Sequence, residues 1–139
     1  MNGHNYRKFR LSDKFISQYE DKEVPWGPVG YVTYKRTYAR LLSERDPDAV
    51  GTEEWYQTCR RVIEGMFDMQ KRHVTELGLE WIDSKSQKTA KDAYDRLFNL
   101  KWTPPGRGLW MMGTKFVEER TAAGLFNCAF RSTKDISSK

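Results

Sequence analysis

Between Thr52 and Gln70 apolar side chains recur at the interval of an α-helix. Trp55, Cys59, Val62, Met66 and Phe67 fall three or four residues apart or side by side, and Met69 or Gln70 continues the stripe. The spacing predicts a long helix capped by Thr52, with Glu53 and Glu54 at its positive end, where the helix dipole favours carboxylates. A helix of this kind gains most of its stability by burying its apolar face, so the rest of the chain must cover it.

The neighbouring segments read as that cover. Ser12 is placed to cap a short helix bearing Phe15, Ile16 and Tyr19, ending near Glu23 ahead of Pro25. Val24-Pro25-Trp26-Gly27-Pro28 is a turn, since each proline disfavours helix in the residue before it. From Gly30, the spacing of Tyr31, Tyr34, Tyr38, Leu41 and Leu42 predicts a helix, although so many Tyr and Thr residues also tolerate a strand. Residues 46–51 read as a loop. A further helix from about Ser86 carries Ala90, Ala93, Tyr94, Leu97 and Phe98 on one face and stops at Thr103-Pro104-Pro105-Gly106. A short polar helix is expected over residues 114–121. Gly124 then releases the chain into Leu125-Phe126-Asn127-Cys128-Ala129-Phe130, where a strand would put Phe126, Cys128 and Phe130 on one face. A lone strand leaves its backbone groups unpaired. The expectation is a mainly α domain whose last strand needs partners from a larger protein.

Composition narrows the function. A chain of 139 residues with 14% aromatic residues has bulky core material for one domain. The net charge of +5 would suit a phosphate-bearing partner, yet acidic residues are interspersed beyond the short Tyr6-Arg7-Lys8-Phe9-Arg10 run, which argues against nucleic acid. No apolar run approaches the roughly 20 residues of a membrane span. Two distant cysteines, with no signal-like stretch before Ser12, point to a cytoplasmic protein rather than a secreted disulfide scaffold. Cys59 reads as a buried apolar residue. His73, expected just after the long helix, has no second histidine at ligand spacing, so no metal site is expected. Phosphate-binding glycine loops, nucleophile elbows and Cys/His clusters are absent from the sequence.

Three stretches in order resemble the amino-terminal region of class II, adenosylcobalamin-dependent ribonucleoside-triphosphate reductases. They are WGPVGYVTYKRTYAR at residues 26–40, FNLKWTPPGRGLWMMGT at residues 98–114 and AAGLFNCAF at residues 122–130. The resemblance implies a helical amino-terminal domain over residues 1–121. Residues 122–139 would then hold the first strand of a ten-stranded α/β barrel and a truncated tail.

It also implies roles. Cys128 resembles one thiol of the pair that reduces the ribose 2′ position, with its partner outside this chain. Thr114, Asn127 and Cys128 resemble substrate-binding positions, Thr114 and the backbone around Asn127 holding phosphates. A helix cap is the alternative for Thr114, and the two roles are compatible. The implied cofactor, adenosylcobalamin, would be bound by the missing part. The implied partners are the remainder of the reductase, a ribonucleoside triphosphate and a thioredoxin-type reductant. Such a fragment would be inactive alone, whether a split-gene subunit or a truncated product. A stand-alone helical interaction module derived from the reductase is the alternative. Two positions depart from the pattern: Met111-Met112 replaces smaller residues, and Arg131 stands where an apolar barrel residue is usual.

Overall fold

The computed structural model describes residues 6–120 and residue 125. Helix α1 (Asp13–Ile16) runs into a 3₁₀ turn (Ser17–Tyr19) and is followed by α2 (Pro28–Thr37), a second 3₁₀ turn (Leu42–Glu44), α3 (Trp55–Glu76), α4 (Asp83–Phe98), α5 (Gly106–Met111) and α6 (Lys115–Arg120). The described residues are helical and contain no strand beyond one isolated antiparallel bridge, Leu41 to Thr52. The proposed barrel strand, with Asn127, Cys128 and Arg131, lies outside them.

The core forms where α3 and α4 pack together. Trp55, Cys59, Val62, Ile63 and Phe67 of α3 meet Ala90, Tyr94, Leu97 and Phe98 of α4, and all are buried. Glycine makes the hairpin between them possible. Gly78 sits at φ +71° just past α3 and donates to the Thr75 carbonyl, while Leu79 donates to Val74, satisfying the helix's last carbonyls. Helix α4 ends in the same pattern without glycine. Leu100 adopts φ +55°, Leu100 N–H reaches Leu97 and Lys101 N–H reaches Arg96. An L-residue there costs about 1–2 kcal/mol, and Leu100 offsets this by packing against the core.

Aromatic rings cover the open end of the hairpin, where α3 begins and α4 finishes. Tyr19 lies edge-on to Tyr94 and Phe98 with centroids 4.8 and 5.0 Å away, and Trp26 contacts Tyr34 and Trp55 at 5.0 and 4.9 Å. Trp55 Nε1 donates to the Phe98 carbonyl at 3.0 Å, tying the start of α3 to the end of α4.

Several sequence expectations need correction. Thr52 does not cap α3. Glu54 does, in a reciprocal capping box with Gln57 whose side chain accepts from Glu54 N–H at 2.8 Å. Helix α2 stops at Thr37, short of Leu41 and Leu42, because the chain turns extended to pair with the strand-like approach to α3: Leu42 N–H donates to Gly51 and Glu53 N–H to Arg40. Helix α4 begins at Asp83 and ends at Phe98, well before the prolines. The stretch after Pro105, to which the pattern assigned no element, forms α5. His73 falls inside α3, in its last turn, rather than after it.

Candidate functional site

Helix α3 carries a second stripe beside its apolar one. Arg61, Glu64 and Asp68 recur at three- and four-residue spacing and are buried. Each holds backbone from another segment. Asp68 accepts the Phe9 N–H at 2.8 Å and Glu64 the Leu11 N–H at 3.0 Å. The match is geometric: two residues of extended chain advance about 6.6 Å and four helical residues about 6 Å, so alternate amides meet successive carboxylates. Residues 6–11 thereby form a strap, with Phe9 and Leu11 buried in the core and Lys8 and Arg10 outside.

Arg61 organises the other side. Only 2% exposed, it makes a two-pronged ion pair with Glu53, itself 1% exposed: Nε to Oε1 at 2.8 Å and Nη2 to Oε2 at 3.1 Å. Its remaining donors reach the Leu109 carbonyl at 3.0 Å and the Met112 carbonyl at 2.6 Å, fastening the end of α5. Glu53 also accepts from Thr58 Oγ1 at 2.8 Å, and the buried Tyr34 hydroxyl lies 2.7 Å from that oxygen. No buried side-chain nitrogen or oxygen among the described residues lacks a partner.

Two glycines let α3 and the turn after α5 touch. A Cβ on Gly65 would come 2.6 Å from Gly113 N, and one on Gly113, at φ +75°, would collide with the Arg61 carbonyl. This contact places Thr114. Its backbone carbonyl accepts from Val117 and Glu118 at the start of α6, while its hydroxyl donates back to Met111 O at 2.7 Å. Thr114 thus stands at the cap position, but its side chain is directed to the preceding turn.

Thr114 opens onto a cleft of about 590 Å³ between the strap, the loop after α2, α3 and α6. Charged residues dominate the wall, with Phe9, Leu41 and Phe116 set between them. Basic Lys8, Arg10, Arg40, Arg45, Arg61 and Lys115 alternate with acidic Glu44, Glu53, Glu64, Asp68 and Glu118. Resemblance singled out Thr114; Arg61 and the paired glycines carried no expectation, and Glu53 was expected only as a charge at the start of the long helix. The recurrence of charge at positions 61, 64 and 68, beside the apolar stripe, was the available signal.

The other singled-out residues fall elsewhere. Cys59 is fully buried at the α3–α4 contact, and burial pushes its thiol well above the ordinary cysteine range. A thiolate is the reactive species, so Cys59 is expected to be inert in the folded chain. In a Cys128→Ser variant, a thiol reagent should label nothing until denaturant is added; rapid labelling of the native protein would contradict this. No group of three or more His, Cys, Asp or Glu able to hold a metal occurs among the described residues. Nor is any helix among them long and apolar enough to cross a membrane.

The segment from Leu11 to Thr114, which holds the helical hairpin and the turn after α5, matches the family model of the ribonucleotide reductase alpha domain over residues 11–114. The chain belongs to that family. It is 38% identical over 133 residues to an adenosylcobalamin-dependent ribonucleoside-triphosphate reductase of Euglena gracilis, covering 93% of this chain and 18% of that protein. The corresponding enzyme of Lactobacillus leichmannii is 39% identical over 121 residues, covering 86% of this chain and 16% of that protein. The fold matches the crystal structure of a B12-dependent, class II ribonucleotide reductase with a TM-score of 0.70 at 34% identity, over 86% of this chain and 16% of that one. The chain therefore spans less than a fifth of the relatives it matches.

The cofactor named in those relatives does not fit the described residues. Adenosylcobalamin is a corrin carrying two nucleosides, larger than the drug-sized ligands held by pockets of about 300–1,000 Å³. The clefts here measure about 590, 380 and 410 Å³, and charged residues line each of them.

Proposed function

We propose that this chain supplies the amino-terminal part of an adenosylcobalamin-dependent ribonucleoside-triphosphate reductase. In that enzyme it contributes Cys128 as one redox thiol, with Thr114 and Asn127 beside the substrate phosphates. The observation that carries the reading is the continuous family match across α1 to Thr114, ending at the residue that opens onto the charged cleft. Adenosylcobalamin, the second thiol and the barrel belong to the remainder of the reductase, whether joined to this segment or added to it.

The reaction balances as follows. Two thiols lose two electrons and two protons in forming one disulfide. The ribose 2′ carbon–oxygen bond is replaced by a carbon–hydrogen bond, and the hydroxyl leaves as water. A thioredoxin-type dithiol then restores both thiols by exchange. Reduced thiols of this kind belong to the cytoplasm, which is where we place the activity. Thr114 has a hydroxyl proton that can turn from Met111 O to a phosphate oxygen without any backbone movement.

The test is made on the complete enzyme containing this segment, with the remainder supplied on one chain or two. Cys128→Ser is expected to abolish multiple turnover driven by thioredoxin. Thr114→Val should raise KM about tenfold with little change in kcat, the effect of losing one hydrogen bond to a charged group. Full thioredoxin-linked turnover by Cys128→Ser would refute the thiol assignment, and an unaltered KM in Thr114→Val would refute the phosphate contact.

A further inference from the structure

Leu41 and Phe116 line the 590 Å³ cleft from different elements, the extended segment after α2 and helix α6. They are 53% and 51% exposed. Trp110 of α5, 45% exposed, adjoins them: the guanidinium of Arg40, the residue before Leu41, lies 4.9 Å over its ring. Single exposed apolar residues are ordinary, whereas a group that includes two aromatic rings marks an interaction surface. The group is also fixed in advance. Leu41 is bridged to Thr52, and Glu53 N–H donates to the Arg40 carbonyl at 2.8 Å. Trp110 lies between Leu109 and Met112, whose carbonyls Arg61 holds. Phe116 precedes the buried Val117, which anchors α6. A surface held in this way loses little conformational freedom when a partner arrives.

The occupant follows from the position of the group. In the reductase reading the substrate phosphates lie beside Thr114, inside this cleft, while the second thiol lies on the remainder of the enzyme. Both thiols serve one ribose, so the remainder has to close over the cleft mouth. The relatives carry a body large enough to do so, since more than four-fifths of their length lies outside the matched part. We infer that Leu41, Trp110 and Phe116 form the surface on which the remainder of the reductase docks, meeting them with an apolar face. The inference rests on the reductase reading and adds to it the contact that joins the two parts. Aromatic residues are enriched in interfaces of this kind. A second exposed apolar group, Leu77, Leu79 and Ile82 at the turn between α3 and α4, does not line the cleft and stays in water.

The test is maleimide labelling, resolved by peptide mass spectrometry, of the 139-residue chain and of the complete enzyme. Leu41→Cys, Phe116→Cys and Leu79→Cys should all react quickly in the separate chain. In the complete enzyme the first two should slow at least about tenfold, because a reagent reaches a covered thiol only when the contact opens, while Leu79→Cys should keep its rate. Far-UV spectra establish that each variant is folded. Hydroxyl-radical oxidation of Trp110 in the unsubstituted protein reads the same surface without any substitution and should fall in the complete enzyme. Unchanged labelling of Leu41→Cys and Phe116→Cys in an enzyme that turns over overturns the docking surface and leaves the reductase reading in place. Protection of Leu79→Cys alone overturns it as well. Full turnover by Cys128→Ser refutes the thiol assignment yet leaves a protected rim standing, so the two proposals fail separately.

Discussion

Replacing Arg61 with methionine is expected to destabilise the chain by about 3–5 kcal/mol, the usual result of removing one partner from a buried ion pair. The change leaves the Glu53 carboxylate 1% exposed and without its countercharge. It also removes the donors to the Leu109 and Met112 carbonyls, which are held at 3.0 and 2.6 Å. A loss of that size is a large part of the total stability of a domain, about 5–15 kcal/mol. Urea denaturation followed by circular dichroism measures it. Glu53→Gln combined with Arg61→Met should recover part of the loss, because the buried charge is then gone, but not all of it, because the two carbonyls still lack donors. A cost below about 1 kcal/mol for Arg61→Met would mean that the pair is not holding the end of α5.

The turn before Thr114 should be equally sensitive to a single methyl group. Three glycines separate the causes. Gly78→Ala faces open space at φ +71°, so only the backbone penalty applies, about 1–2 kcal/mol. Gly65→Ala is helical and carries no such penalty, but its Cβ would lie 2.6 and 2.7 Å from Gly113 N and Cα. Gly113→Ala combines φ +75° with a collision against the Arg61 backbone. Overpacking against backbone adds roughly 1–3 kcal/mol, so Gly113→Ala should be the most destabilised of the three by denaturant midpoint. In the complete enzyme it should also disturb Thr114 and raise KM for the nucleotide. Equal midpoints for Gly113→Ala and Gly78→Ala would show that α3 moves aside easily and that the turn is not fixed by close contact.

The two long helices were legible because their apolar residues repeat at the helical period, and that signal is local. Cys59, read as a buried apolar residue, lies at 0% exposure between α3 and α4. The ends of elements were harder to read. Thr52 is a good cap by type, but Arg40 and Glu53 pair their backbones there, and the capping role passes to Glu54. The helix expected through Leu42 is cut short by the same pairing, which joins residues more than ten apart. The charged lining was hidden for a related reason. Arg61 and Glu53 lie on opposite sides of the start of α3, and the carbonyls Arg61 holds belong to residues 109 and 112. Charged residues ordinarily mark a solvated face, and only the arrival of the strap and the α5 turn buries these. Thr114 came from resemblance alone, and Asn127 and Cys128 lie outside the described residues.

The strap also separates two ideas of where a module begins. The family match starts at residue 11, yet Phe9 fills the core and Tyr6 bonds Asp68 through its hydroxyl at 2.9 Å. The strap gives Asp68 and Glu64 main-chain amides at Phe9 and Leu11, whose side chains fill the core, so a smaller residue at either position would cost packing while leaving those hydrogen bonds in place. The folded body therefore reaches back at least to Tyr6, ahead of the point where the family match begins.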